Sequence, residues 1–361
     1  MPRWTHRLTA LVAALLVISA LTACSRAQTT DIAPAAGGGG AAAEIRLGYF
    51  PNVTHASAIV GVDKGFFAGE LGSTKLTTQT FNAGGDEVNA LLGGSLDVGF
   101  IGSGPAINAF AKSKGAAVRV VSGATQGGAQ LVVKPGITSP EQLEGKTIAT
   151  PQLGNTQDIA LKKWLKDKGL SAGDGPNDVK IANLENPRTL DAFKQGSVDG
   201  GWLPEPWSSR LVLDAGATVL LDEKSLWPDG KFPTTVIIVR TGFLKQYPDT
   251  VQALLRGHVK ALDFAAANPA EAKTVVNDGL KKLTGNQLAG PVLDRAFTGI
   301  SIGSDPLAAT FGQLAKDSVT AGVTPAETDL AGFLDLSALN AVLQALGRPA
   351  VDAAGLDKPK G

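Results

Sequence analysis

Apolar and polar positions alternate with a period of two from Glu44 onward: Ile45, Leu47 and Tyr49 stand between Arg46, Gly48 and Phe50, which predicts a strand. Pro51 to His55 reads as a turn, and Ala56 to Phe67 carries Ile59, Val60, Phe66 and Phe67 at helical spacing. Lys75 to Phe81 is a second strand. A short helix follows, with Asp86 as cap or first-turn acid and Val88, Leu91 and Leu92 on one face. Gly93-Gly94 ends it. Leu96 to Ile101 is a buried strand, Gly102-Ser103-Gly104-Pro105 a turn, and Ala106 to Lys112 the next helix. Ala117 to Ser122 is a strand, Gly123 to Gly128 a glycine-rich turn, and Gln130 to Val133 resumes strand character.

A second series then begins. Ser139-Pro140-Glu141-Gln142 is a capping box, and Lys146 to Thr150 a strand. Pro151 to Gln157 is a polar turn opening a helix that stops at Gly169. Val179 to Ala182, Asp199 to Trp202 and Ala217 to Leu221 are strands. Pro187 to Gln195 and the stretch after Trp207 are helices. Thr234 to Val239 is apolar and β-branched, and carries the chain back to the first series. Helices dominate the rest: Val251, Leu254, Leu255, His258 and Leu262 share one face, and Asn268-Pro269-Ala270-Glu271 starts another helix. Residues from Gly347 onward look frayed.

Alternation of strands and helices predicts mainly parallel sheets covered on both faces. Where a strand passes through a glycine turn into a helix, several backbone N–H groups are left unpaired, and the helix dipole favours an anionic or polar group there. The turn at Gly102–Pro105 has this form; an ordinary strand-to-helix connection has it too.

The 361 residues allow two domains, and a formal net charge of zero gives no basic excess for nucleic acid. The one cysteine, Cys24, excludes an intrachain disulfide and a thiolate zinc site. It follows Arg3 and Arg7, an apolar run from Leu8 to Ala20, and Leu21-Thr22-Ala23, the pattern of a bacterial lipoprotein signal peptide. Residues 1–23 are thus expected to be removed and Cys24 to carry acyl chains (palmitate among them), leaving 31 basic against 33 acidic residues. Residues 24–43, with Gly37-Gly38-Gly39-Gly40, form an expected flexible tether at the extracytoplasmic face of the cell membrane.

Four segments carry a family resemblance: Ile45-Arg46-Leu47-Gly48-Tyr49-Phe50-Pro51-Asn52, Gly94-Ser95-Leu96-Asp97-Val98-Gly99-Phe100, Leu143-Glu144-Gly145-Lys146-Thr147-Ile148-Ala149 and Trp202-Leu203-Pro204-Glu205-Pro206-Trp207. In their order and spacing the chain resembles the substrate-binding lipoproteins of ABC importers, in the group that binds nitrate, sulfonates, taurine and thiamine precursors. The resemblance implies an α/β, two-lobed periplasmic-binding-protein fold (type II) with two interlobe crossings and a helical C-terminal part. Residues 44–134 and 236–361 would form lobe one, and residues 135–235 lobe two, with crossings near Lys134-Pro135 and Thr234-Thr235. It further implies a monomer that captures a small-molecule ligand in an interlobe cleft and delivers it to ABC permease and ATPase subunits, with no cofactor and no metal.

Candidate ligand contacts lie on turns at strand ends: Phe50, Asn52, His55, Ser103, Gly104, Thr125 and Gly127 from lobe one, and Asn155, Thr156, Glu205 and Trp207 from lobe two. Asn155 and Thr156 also suit simple capping. Glu205 can meet an amine on the ligand or an arginine of its own lobe, and Trp207 can wall the cleft or pack between helix and sheet. His258, on an apolar face, reads as a core residue bonded to backbone. Backbone amides and hydroxyls on these turns suit a sulfonate or nitrate, and their lack of Arg and Lys disfavours a doubly charged phosphate. An acid such as Glu205 fits a zwitterion such as taurine or a protonated amine on a heterocycle. An enzyme is the rival class. Gly299-Ile300-Ser301-Ile302-Gly303 matches the nucleophile-elbow pattern, but no histidine follows Ser301. Gly145-Lys146-Thr147 lacks the first glycine of a phosphate loop, since Pro140 stands in its place. A biosynthetic enzyme or a sensory binding protein on the same fold, for instance one handling a thiamine-pyrimidine precursor, is the alternative.

Overall fold

The structure is a computed structural model that describes residues 40–358. The signal peptide of residues 1–23, the lipidation site Cys24 and most of the expected tether lie outside the described residues. The tether's last residues are already part of the fold. Ala42 is buried, its N–H donates to Thr250 Oγ1 at 2.9 Å, and its carbonyl accepts from Thr74 Oγ1 at 2.6 Å.

The first series runs β1 (Glu44–Tyr49), α1 (Ala56–Asp63), α2 (Phe66–Leu71), β2 (Lys75–Thr80), α3 (Gly84–Leu92), β3 (Val98–Ile101), α4 (Ser103–Lys112) and β4 (Val118–Gly127). The second contains β5 (Ala129–Val133), β6 (Thr147–Thr150), α5 (Thr156–Asp167), β7 (Lys180–Asn183), α6 (Asn186–Lys194), β8 (Gly200–Pro204), α7 (Trp207–Ala215) and β9 (Thr218–Asp222). The chain returns through β10 (Pro233–Arg240). It continues as α8 (Thr241–Gln246), α9 (Pro248–Ala267), α10 (Pro269–Thr284), α11 (Gly290–Gly299), β11 (Ile300–Ile302), α12 (Phe311–Thr320) and α13 (Ser337–Ala345).

The strands form two sheets, one ordered β11-β4-β10-β3-β1-β2 and the other β7-β6-β8-β5-β9. β1 pairs in parallel with β2 and β3, and β6 with β7 and β8, as the β-α-β alternation predicts. Each sheet also takes in antiparallel strands at its crossing: β10 beside β3 and β4, and β5 beside β8 and β9. One large apolar cluster serves the first half, and two smaller ones cover the faces of the second sheet.

Four expectations are corrected. The stretch Gly123–Gly127 is not a turn but the end of β4, held by β10 through irregular register and by the Gly123 N–H donating to the Ser304 carbonyl at 2.8 Å. Ala129–Val133 belongs to the second sheet, so the first crossing lies at Gly127-Gly128 and not near Lys134-Pro135. Both of those glycines have positive φ, +70° and +74°, a backbone state that costs other residues about 1–2 kcal/mol. The tail beyond Gly347 is docked: Asn340 exchanges two hydrogen bonds with Val351, at 2.8 and 3.0 Å, and the Leu334 N–H donates to the Leu356 carbonyl. Leu92, expected on the buried face of α3, is exposed, whereas Val88 and Leu91 are buried.

Candidate functional site

The polar turns after β1, β3, β6, β7 and β8 converge where the two halves meet. From the first half, Asn52 and His55 follow β1. The His55 ring stacks on Phe50 at 4.5 Å between centroids, and its Nε2 lies 3.1 Å from the Phe100 carbonyl. Burial pushes the His55 pKa down to about 3, so the ring is neutral. Thr125, on β4, donates its hydroxyl to the Thr54 carbonyl at 2.6 Å and so fixes the turn.

From the second half, Asn155 caps α5 by accepting the Thr156 N–H at 2.7 Å. The Thr156 hydroxyl oxygen accepts the Gly104 N–H at 3.1 Å, which brings the N-terminal ends of α4 and α5 face to face. Glycine eases that approach, because a Cβ on Gly104 would lie 3.0 Å from the Thr156 nitrogen and require the backbone there to give by a few tenths of an ångström. Trp207 donates its indole N–H to Asn52 Oδ1 at 2.8 Å.

Glu205 is buried and has its charge answered by protein. Its carboxylate accepts from the Ser209 N–H and from Arg295 Nη1, each at 3.2 Å. Burial nevertheless raises its pKa, against the lowering effect of the Ser209 hydrogen bond and Arg295. Arg295 comes from α11, in the C-terminal part, and not from Glu205's own half.

Among these turns lies a half-open pocket of about 20 Å³. Of the residues singled out in the sequence, Phe50, Asn52, His55, Asn155 and Thr156 line it. Ser103 and Gly104 open α4 beside the lining residue Gly102. Thr125, Gly127 and Glu205 stand behind the lining: Gly127 accepts a hydrogen bond from the Thr234 hydroxyl, and the Glu205 N–H donates to the Gly128 carbonyl. Trp207 walls a second, larger chamber of about 320 Å³ that shares Asn52, Asn82 and Asn186 with the first. A larger cavity of about 590 Å³, against Trp164, Trp227 and Asp317, is reached by Thr156 alone among the singled-out residues.

The sequence reading missed Asn82, Gln157, Asn186, Thr234 and Thr235, which also line the small cavity. Asn186-Pro187 repeats the helix-opening signal of Asn268-Pro269 and was legible as such. Thr234 and Thr235 sit on a strand whose path between the halves no local pattern records. Around the cavity, Ser103 Oγ, Thr235 Oγ1 and Asn186 Oδ1 are buried with no hydrogen-bond partner among the described residues. His258 is a core residue, as its helix face predicts: its Nε2 lies 3.0 Å from the Gly123 carbonyl. Ser301 pairs with Gln126 at the edge of the first sheet.

A space of about 20 Å³ is the size of a single water. The chemistry on offer is neutral: carboxamides, hydroxyls, backbone N–H groups and helix ends, suited to holding a polar solute by hydrogen bonds.

Residues 38–277 match the NMT1-like family. The chain is 31% identical over 206 residues to the taurine-binding periplasmic protein of Escherichia coli (strain K12). That match covers 56% of this chain and 61% of that protein, so about three fifths of the relative's length is spanned. Among solved structures, it resembles the alkanesulfonate-binding protein SsuA from Xanthomonas axonopodis pv. citri, bound to MOPS. The TM-score is 0.67 at 22% identity, covering 80% of this chain and 96% of that one. It also resembles the periplasmic nitrate-binding protein NrtA from Synechocystis PCC 6803. There the TM-score is 0.72 at 18% identity, covering 85% and 90%. The fold is therefore that of the two-lobed periplasmic binding proteins.

Proposed function

The chain belongs to the NMT1-like family, and from that premise we propose that it is the extracytoplasmic solute-binding component of an ABC importer. It captures a small anionic or zwitterionic solute of the aliphatic sulfonate, taurine or nitrate class and performs no chemistry on it. The observation that carries this reading is the polar cavity lined from both halves, two of whose lining residues, Asn52 and Thr156, take hydrogen bonds across the halves from Trp207 and Gly104. The solute contacts are drawn from Phe50, Asn52, His55, Ser103, Gly104, Thr125, Gly127, Asn155, Thr156, Glu205 and Trp207. The halves hinge at Gly127-Gly128 and before β10, closing on the solute, and the closed form delivers it to the permease and ATPase subunits. An acylated Cys24 holds the monomer at the outer face of the cell membrane, with the segment ahead of Ala42 as its leash.

Thermal melts against nitrate, alkanesulfonates, taurine and pyrimidines test this. One class is expected to raise the melting temperature, and a solute at a hundred times its Kd adds about 2.7 kcal/mol. Ser103→Trp or Asn155→Trp is expected to abolish the shift in a folded protein. Turnover of a bound compound, or a shift unchanged in both variants, overturns the reading.

A further inference from the structure

We propose that the cavity of about 590 Å³ between α5, the turns after β9 and α12 is a second binding site, for a primary ammonium carried on an apolar body. Asp317 and Glu223 would take the ammonium, and Trp164 and Trp227 the body. This cavity shares one lining residue, Thr156, with the small cavity and none with the 320 Å³ chamber, so the proposal stands whatever solute the cleft takes.

Two observations carry it. The first is a pair of buried carboxyls with no cation to answer them. Asp317, on α12, is 8% exposed; its Oδ1 accepts from Gln313 Nε2 at 2.8 Å, and its Oδ2 meets no donor among the described residues. Glu223, on the turn after β9, is 2% exposed, and its Oε2 accepts the Trp202 indole N–H at 2.7 Å. Neither forms an ion pair among the described residues. Burial raises the pKa of both, and the Asp317 charge adds to the rise at Glu223. Four acids and two lysines line the cavity. Lys163 is taken by Asp167 one turn along α5, and Lys231 and Asp229 are both exposed. Glu223 and Asp317 remain as the uncompensated pair, and a bound cation would supply the missing charge.

The second is the apolar wall around them. Trp164 packs edge-on against Trp202 at 6.0 Å between centroids, and Trp227 stacks on Phe232 at 6.1 Å, so both lining rings are held by neighbours. Leu226, on the same wall, is 45% exposed. A metal ion or ammonia would leave this apolar surface uncovered, whereas an amine with an aromatic or branched body buries it. An ammonium beside tryptophan also gains from the negative face of the ring. An anion of the same size would meet two carboxyls of its own sign. The walls come from the second half and from the C-terminal part, so a bound amine ties the two together.

The test is calorimetry on the whole chain with three compounds of like size: phenethylamine (a cation at neutral pH), phenethyl alcohol (uncharged) and hydrocinnamate (an anion). The amine is expected to bind at least about tenfold more tightly than the alcohol, the scale of one charge-assisted hydrogen bond, and the anion more weakly still. Asp317→Asn should weaken the amine about tenfold and leave the alcohol within about twofold. If that variant does not fold, Glu223→Gln, which keeps an acceptor for Trp202, decides in its place. Asn155→Trp, which fills the small cavity, should bind the amine as the natural chain does. The proposal is overturned by an amine that does not bind, by alcohol or anion binding as tightly, by an amine indifferent to the carboxyl variant, or by its loss in Asn155→Trp. Each of these outcomes leaves solute capture in the cleft intact.

Discussion

Arg295 donates to Glu205 at 3.2 Å, and the two come from different parts of the fold: α11 in the C-terminal part and the end of β8 in the second sheet. The same guanidinium reaches Ser209 Oγ at 2.8 Å and Gln130 Oε1 at 2.6 Å. One side chain therefore clamps α11 onto three groups of the second half. Arg295→Met should leave the buried Glu205 carboxyl without a countercharge. The expected cost is on the order of 2 kcal/mol, read by urea denaturation. Small-angle scattering should show a more open chain, and an unchanged radius of gyration would deny the clamp.

Trp207 and Asn52 close the other side. Trp207→Phe keeps the ring against Arg210, whose guanidinium lies 4.9 Å from it, but removes the donor to Asn52. About 1 kcal/mol of stability should be lost. Solute affinity should fall while the circular dichroism spectrum is unchanged, and a variant that binds as before would separate this bond from closure.

At the crossing, Gly128 has φ +74°, and a Cβ there would meet Ile300 Cγ2 at 2.3 Å. Gly128→Ala is expected to cost roughly 1–3 kcal/mol through strain and crowding together. Solute association should also slow, as stopped-flow tryptophan fluorescence would record. A wild-type melting temperature would contradict both effects.

Stability should pass through a maximum with pH. Burial lowers the pKa of His55 to about 3 and of His258 to about 4, from an ordinary 6.5. Between those values the unfolded chain binds the extra protons, so stability is full above about pH 6.5 and falls as pH drops toward 4 and 3. Glu223 acts in the opposite sense: burial raises it from 4.5 to about 8, despite the Trp202 indole N–H donated at 2.7 Å. Here the folded chain holds the extra proton, so stability declines as pH rises from about 4.5 through 8. Melting curves across pH should therefore show an acid limb and an alkaline limb, with Glu223→Gln flattening only the second.

Much of the architecture was legible along the chain. The alternation at Ile45, Leu47 and Tyr49, the capping box in which Gln142 Oε1 accepts the Ser139 N–H at 3.1 Å, and the helical face of His258 each depend on neighbours within a few residues. Part of the cavity was legible for the same reason, since Asn52, Asn155 and Thr156 sit on turns that local patterns announce. Gly123–Gly127 misled because glycines that let two strands twist and approach look the same as glycines that make a turn.

By itself the sequence determined most of the strands and helices, most of the faces they bury, and which turns present polar groups at strand ends, because these follow from periodicity and capping over a few residues. Only the tertiary structure decided that Ala129–Val133 joins the second sheet, that Arg295 finds Glu205, and that Asn186, Thr234 and Thr235 meet around one cavity. Those pairings join residues far apart in the chain, and their partners are chosen by the packing of whole layers, which no window of neighbouring residues contains.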